Sequence, residues 1–266
     1  RGGRSPCRRL GPSTITSNPV FVQYLMAAAN REGEDLSEPL PPDWTLHALQ
    51  GMQIMLFGMT MSPPCARIRL LLAFYRVPFV SVCGRRPSGE YKKVPALDIG
   101  DIQINDSFII VKALAPILQG RPLTSKEVEL ERNATYGLMV ALEKGVAGTS
   151  QDLRSCGRSM GGAEGFALWA LSCCVARVAP PYVGQDAPKH LGKPVGAISE
   201  YGRMLRDHLG AQDFFAGSEP QVTDASIFGM LLPFDVAQCE CMKALLGPSD
   251  DPLHQWLLRI KAKTSD

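Results

Sequence analysis

A chain of 266 residues is long enough to bury a substantial core and to form two domains. With 45% hydrophobic and 20% charged residues it is a globular composition, not a disordered one. A formal net charge of +2 gives no ground to expect a nucleic-acid partner, and no segment reaches the roughly 18–20 apolar residues of a membrane span.

The first 51 residues read as an extension. Arg1, Arg4, Arg8 and Arg9 cluster at the start, and no acidic residue precedes Glu32. An Arg-rich, Ser-containing, acid-free start resembles an organelle transit peptide or its remnant, and equally a basic disordered arm. The chain opens on Arg, as a processed or fragmentary sequence would. An organellar location is expected, a mitochondrion ahead of a plastid. Ser37-Glu-Pro-Leu-Pro-Pro-Asp43 has the composition of a linker.

Residues 52–120 alternate strand and helix signals. Met52–Phe57 is an apolar strand candidate, and Ile68, Leu71, Leu72 and Tyr75 give helical spacing over Pro63 to Tyr75. Val77–Cys83 reads as a second strand. Val94-Pro95-Ala-Leu and Ile102-Gln-Ile104 flank Asp98-Ile-Gly100-Asp101, a hairpin signal with its glycine. A helix is expected from Asn105-Asp106-Ser107, with Ile110, Val111, Leu114 and Leu118 on one face. The order β-α-β-β-β-α predicts a mixed sheet with helices packed on it. Residues 121–266 show only helical patterns: Glu127–Lys144, Gly165–Val178, Val195–Leu209, Thr223–Leu232, Val236–Leu246 and Pro252–Lys261, interrupted at Pro180-Pro181 and Pro233. The fold class is therefore an α/β, thioredoxin-like domain followed by an all-α domain.

Ser62-Pro63-Pro64-Cys65 lies between the first strand and the first helix, where thioredoxin-like domains carry Cys-x-x-Cys. The first cysteine of that motif attacks disulfides as a thiolate. Serine cannot form a mixed disulfide, but its hydroxyl can donate a hydrogen bond to a bound thiolate, so dithiol chemistry is not expected and a thiol-binding role stays open. Ser62 also suits a plain helix N-cap, with Pro63 in the first turn, and Cys65 an inert position in that turn. Asp106 and Ser107 begin a helix, whose free N–H groups favour a carboxylate, or serve as ordinary caps. Arg85-Arg86 reads as solvated loop charge.

The eight cysteines do not read as a disulfide scaffold. Cys173-Cys174 and Cys239-Glu240-Cys241 fall in helical patterns, where neighbours at i+1 or i+2 point to different faces. They are taken as small buried apolar residues. The four histidines lack zinc-site spacing, so no metal site is expected.

These motifs together resemble the glutathione S-transferase superfamily. Ser62-Pro-Pro-Cys65 lies where that family carries its catalytic Tyr, Ser or Cys. Lys93-Val94-Pro95 resembles its Val-Pro, whose cis-proline exposes backbone to the cysteinyl unit of glutathione. Asn105-Asp106-Ser107 resembles its γ-glutamyl-binding pair, and Pro220-Gln-Val-Thr-Asp224 its helical capping box. Within the superfamily, Tyr91-Lys-Lys-Val-Pro95, Gly162-Ala-Glu-Gly165 and Gln255-Trp-Leu-Leu-Arg259 resemble the membrane-associated prostaglandin E synthase type 2 family. Ser62 stands where that family has a cysteine, and Gln221 where a Ser, Thr or Asn caps the helix.

The resemblance implies glutathione as cofactor, held by Val94, Pro95, Asp106 and Ser107, with Ser62 and Cys65 at the catalytic position and glutathione or a small apolar molecule as substrate. The missing cysteine implies equally a non-catalytic accessory subunit, reaching protein partners through residues 1–51 and belonging to a large organellar membrane complex.

Overall fold

A computed structural model describes residues 40, 41, 43–87, 91, 93–172, 176 and 183–264. The basic start of the chain, the predicted transit segment, Cys173-Cys174 and Pro180-Pro181 lie outside the described residues.

A short helix α1 (Leu46–Gln50), capped by the Thr45 side chain, precedes strand β1 (Ile54–Gly58). Leu40 and Leu49 are buried in the same core as the sheet, and Trp44 and Leu46 pack against it. The last dozen residues of the stretch read as an extension are thus part of the folded body. Their apolar side chains cover one face of the sheet.

After β1 come α2 (Pro63–Phe74), β2 (Val80–Cys83), the β3–β4 hairpin (Ala96–Ile99 and Ile102–Asn105) and α3 (Ser107–Gln119). The sheet order is β2-β1-β3-β4; β1 and β2 run parallel, and β3 is antiparallel to both β1 and β4. This is the thioredoxin-like arrangement expected from the order of signals. Ile54, Leu56, Leu97, Ile99 and Ile104 enter the larger core with α2 and α3, whereas Met55, Phe57 and Ala96 form a smaller core on the other face. Every residue of β1 is buried, as a central strand covered on both sides requires.

Two side chains behave otherwise than expected. Cys83 is exposed, because β2 is an edge strand. Arg86 is buried, and its Nε donates to Asp98 Oδ2 at 2.9 Å. A buried guanidinium needs such a partner, and Asp98, at the end of a strand in sequence, sits within β3.

The helical part begins with α4 (Ser125–Asn133), entered through a capping box of Thr124 and Glu127. A single π-helical turn (Ala134–Leu138) joins it to α5 (Met139–Ala147). Then follow α6 (Ser150–Met160), α7 (Gly162–Ala170), α8 (Ala187–Leu191), α9 (Ile198–Leu209), α10 (Val222–Val236), α11 (Glu240–Leu246) and α12 (Pro252–Thr264). The sequence patterns offered no helix candidate over α6 or α8.

Helix α10 runs through Pro233, where a break was expected. All but one of residues 222–234 are buried, so packing on every side offsets the lost hydrogen bond that a helical proline imposes. This helix joins the two domains. Val222 and Ala225 belong to the sheet-side core, while Ile227, Phe228, Met230 and Leu231 belong to the helical core. The contact with α2 is so close that a Cβ at Gly229 would lie 2.8 Å from Arg67 Cα and 2.9 Å from Leu70 Cβ. Gln221 does sit at the N-cap of α10, but its Oε1 accepts from Arg121 Nη2 at 2.7 Å. Asp224 accepts the Gln221 backbone N–H at 3.1 Å, the Phe215 N–H at 2.9 Å and the Trp256 indole N–H at 2.9 Å. The unusual cap residue is tied to the sheet-domain side by an arginine.

Candidate functional site

Strand direction brings the sequence-predicted residues together. Because β1 and β4 are both antiparallel to β3, they are parallel to each other, and the helices that follow them start at the same end of the sheet. In register, Phe57 pairs with Ala96, and Ala96 with Asn105. Ser62 before α2, Val94-Pro95 before β3, and Asp106-Ser107 at the start of α3 therefore share one edge of the domain. The Val94–Pro95 bond is cis, as the resemblance implies.

Ser62 occupies the N-cap of α2 with extended backbone, φ −70° and ψ 119°, and Pro63 follows at the first helical position. Its hydroxyl makes no capping bond to the helix. It lies instead against the thiol of Cys65. That thiol is fully buried against β1, so close that a Cβ at Gly58 would meet Sγ at 2.6 Å. Burial pushes the Cys65 thiol up from its ordinary value; the Ser62 hydroxyl, the Met59 backbone and the Arg69 cation pull it down by less. A buried thiol that resists ionisation is a poor nucleophile. Of the two motif residues, Ser62 is the one that reaches solvent.

Asp106 has φ +71°, a region that non-glycine residues enter only when their surroundings hold them there. Its Oδ1 accepts two bonds, from the Phe108 backbone N–H at 2.8 Å and from the Tyr136 hydroxyl at 3.1 Å. Ser107 is buried in the first turn of α3. Tyr136 belongs to the π-helical turn of the helical domain, where one extra residue redirects side chains. Its ring stacks on His190 at 4.1 Å and tilts against Phe108 at 5.8 Å, and Arg132 lies 5.8 Å over the Phe108 ring. Burial and the neighbouring Asp106 carboxylate push the Tyr136 phenol well above its usual range, so it is a hydrogen-bond donor at neutral pH.

Sequence reasoning missed Tyr136 and His190. Nothing in the local pattern marks a π turn, and α8, which carries His190, gives no apolar periodicity. A further link across the same edge, Lys93 Nζ to Asp186 at 3.0 Å, is exposed on both sides and adds little stability.

No family model matches the sequence, and no curated protein matches it. Solved structures of similar shape include glutathione S-transferases from Ascaris lumbricoides (13% identity, TM-score 0.48, covering 79% of this chain and 92% of that one). Others come from Xanthobacter autotrophicus (14%, 0.46, 79% and 93%) and, as a Tau-class enzyme, from mango (16%, 0.43, 79% and 89%). Likenesses of this degree carry no argument about the chemistry of the site.

Proposed function

We propose that the chain is a member of the glutathione S-transferase superfamily that binds glutathione, or another small γ-glutamyl thiol, and carries out no dithiol exchange. The observation that carries this is the convergence of Ser62, Val94-Pro95 and Asp106-Ser107 at one end of the sheet. Strands lie about 4.8 Å apart, so β1 and β4, separated by β3, are about 10 Å apart. An extended tripeptide is also about 10 Å long. A thiol at the Ser62 end would meet a hydroxyl donor. An α-carboxylate at the other end would meet the first N–H groups of the 13-residue α3. Asp106 Oδ2, which has no hydrogen bond to the described residues, would accept an ammonium group. Ser62 would act as hydrogen-bond donor to the bound thiolate, and buried Cys65 as a packing residue beneath it. The relation to the prostaglandin E synthase type 2 family is part of this reading. It is supported by the motifs Tyr91-Lys-Lys-Val-Pro95 and Asn105-Asp106-Ser107.

One observation favours a second reading, a non-catalytic accessory subunit of an organellar membrane complex: Asp106 Oδ1 is already claimed by Tyr136 and Phe108. Calorimetric titration with glutathione at millimolar concentration separates the two. Saturable binding, weakened tenfold or more in Asp106→Asn and Ser107→Ala, is expected. Absence of binding would overturn the first reading. Migration with a large assembly in mild detergent would then be the result the second reading requires.

A further inference from the structure

Helix α6 carries Asp152 and Cys156 one turn apart, so both point from one face of that helix. That face meets the start of α11. Cys239 is the N-cap of α11 and not a helical residue; its backbone is extended, at φ −65° and ψ 140°. The usual divergence of i and i+2 side chains on a helix therefore does not apply to Cys239 and Cys241. A carboxylate oxygen of Asp152 and the sulfurs of Cys239 and Cys241 all lie within 4.8 Å of one another. Cys156 Sγ lies 3.7 Å from Cys239 Sγ.

Tetrahedral zinc with Zn–S bonds of about 2.3 Å holds its sulfurs about 3.7–3.8 Å apart, so the Cys156–Cys239 separation equals one edge of such a site. The interior of the cluster is dry. Asp152 is 2% exposed, Cys239 1% and Cys241 7%, while half-buried Cys156 forms its rim. Asp152 Oδ1 accepts the Glu240 backbone N–H at 2.9 Å, and no described Lys, Arg or His forms an ion pair with it. A buried carboxylate without a cation is costly. The Glu240 bond fixes the carboxylate's orientation and leaves lone pairs for another ligand, as outer hydrogen bonds do at metal centres.

We propose that Asp152, Cys156, Cys239 and Cys241 bind one zinc ion, which clamps α6 to α11 within the helical domain. Asp152, Cys239 and Cys241 lie within mutual reach, and Cys156, 3.7 Å from Cys239, would close the fourth position; a set of three soft sulfurs and one carboxylate suits zinc and disfavours magnesium or calcium. Binding converts three thiols to thiolates and releases three protons, with no change of oxidation state. The site is independent of the glutathione reading and lies in the other domain.

The test uses the full chain, reduced, stripped with a chelator and titrated with Co2+ and then Zn2+. The expected result is one metal per chain by elemental analysis. A cobalt spectrum with sulfur-to-metal charge transfer and tetrahedral bands should appear, and Zn2+ should displace it. Cys239→Ser and Asp152→Asn should each weaken binding at least tenfold, whereas Cys83→Ser, on the exposed edge strand, should not. The unaltered protein alone decides the matter if a variant fails to fold. Cobalt binding without sulfur charge transfer would overturn the proposal. So would a reduced protein that takes up no metal and re-forms a Cys156–Cys239 disulfide.

Discussion

Breaking the buried pair Arg67–Glu131 should be among the most damaging single changes in this protein. Arg67 on α2 is fully buried, and its guanidinium is shared among three partners from the helical domain. Nε donates to Ser226 Oγ at 2.6 Å, while Nη1 and Nη2 donate to Thr135 and Glu131. Glu131 is also fully buried, and Ser226 Oγ donates to the same Oε2 at 3.0 Å. Glu131→Gln keeps the volume but leaves a cation without its counter-charge, which costs about 3–5 kcal/mol. A domain has about 5–15 kcal/mol in all. In urea, with a slope of about 2–3 kcal/mol/M, the midpoint should fall by about 1–2 M. Replacing both groups, as Arg67→Met with Glu131→Leu, removes two desolvation penalties at once. It should restore most of the loss, giving a coupling of several kcal/mol. Burial already pushes the Glu131 carboxyl up, with Arg67 the largest opposing influence. In Arg67→Met that opposition is gone. A folded-state value further above the unfolded one means that the variant is most stable below the ordinary carboxylate range. It then loses stability as pH rises through the raised value, more steeply than the parent. A Glu131→Gln variant that loses less than about 1 kcal/mol, or a double variant no better than the singles, would refute this account of the interface.

Gly229→Ala should destabilise by about 1–3 kcal/mol in thermal or urea unfolding, because even a methyl group meets the backbone of α2 at 2.8 Å; a neutral result would show that the helices can separate freely. Burial raises the Glu143 carboxyl to about 7. Its contribution is therefore fully present below about pH 4.5 and lost as pH rises through 7, up to about 3 kcal/mol in all; Glu143→Gln should flatten that part of the pH–stability curve, and an unchanged curve would contradict the assignment. The unaltered protein should show no activity in an insulin-reduction assay, whereas Ser62→Cys, which places a sulfur where the hydroxyl now touches the Cys65 thiol, should form a reversible internal disulfide detectable by thiol counting. Dithiol activity in the unaltered protein that disappears in Cys65→Ala would show that the motif has been misread.

What the sequence determined by itself is local. Short apolar runs, a hairpin glycine and period-3.6 patterns placed the four strands and most helices, because burial is written into consecutive residues. The same is true of starts such as Ser62-Pro63 and Asp106-Ser107, where cap and first turn are neighbours in the chain. That position 62 is a serine, so that no Cys-x-x-Cys couple spans residues 62–65, needs no coordinates at all. The tertiary structure decided what depends on distant partners. Arg86 is buried because Asp98 is there to receive it, Pro233 is helical because α10 is enclosed, and Cys83 is exposed because its strand is an edge. Tyr136 reaches Asp106 from 30 positions away through a π turn that no periodicity announces. Cys156 and Cys239 are 83 residues apart and meet only when α6 is brought to the start of α11. Periodicity describes which face a residue occupies; it carries no information on which other face lies opposite, and the chemistry of a cluster depends on that pairing.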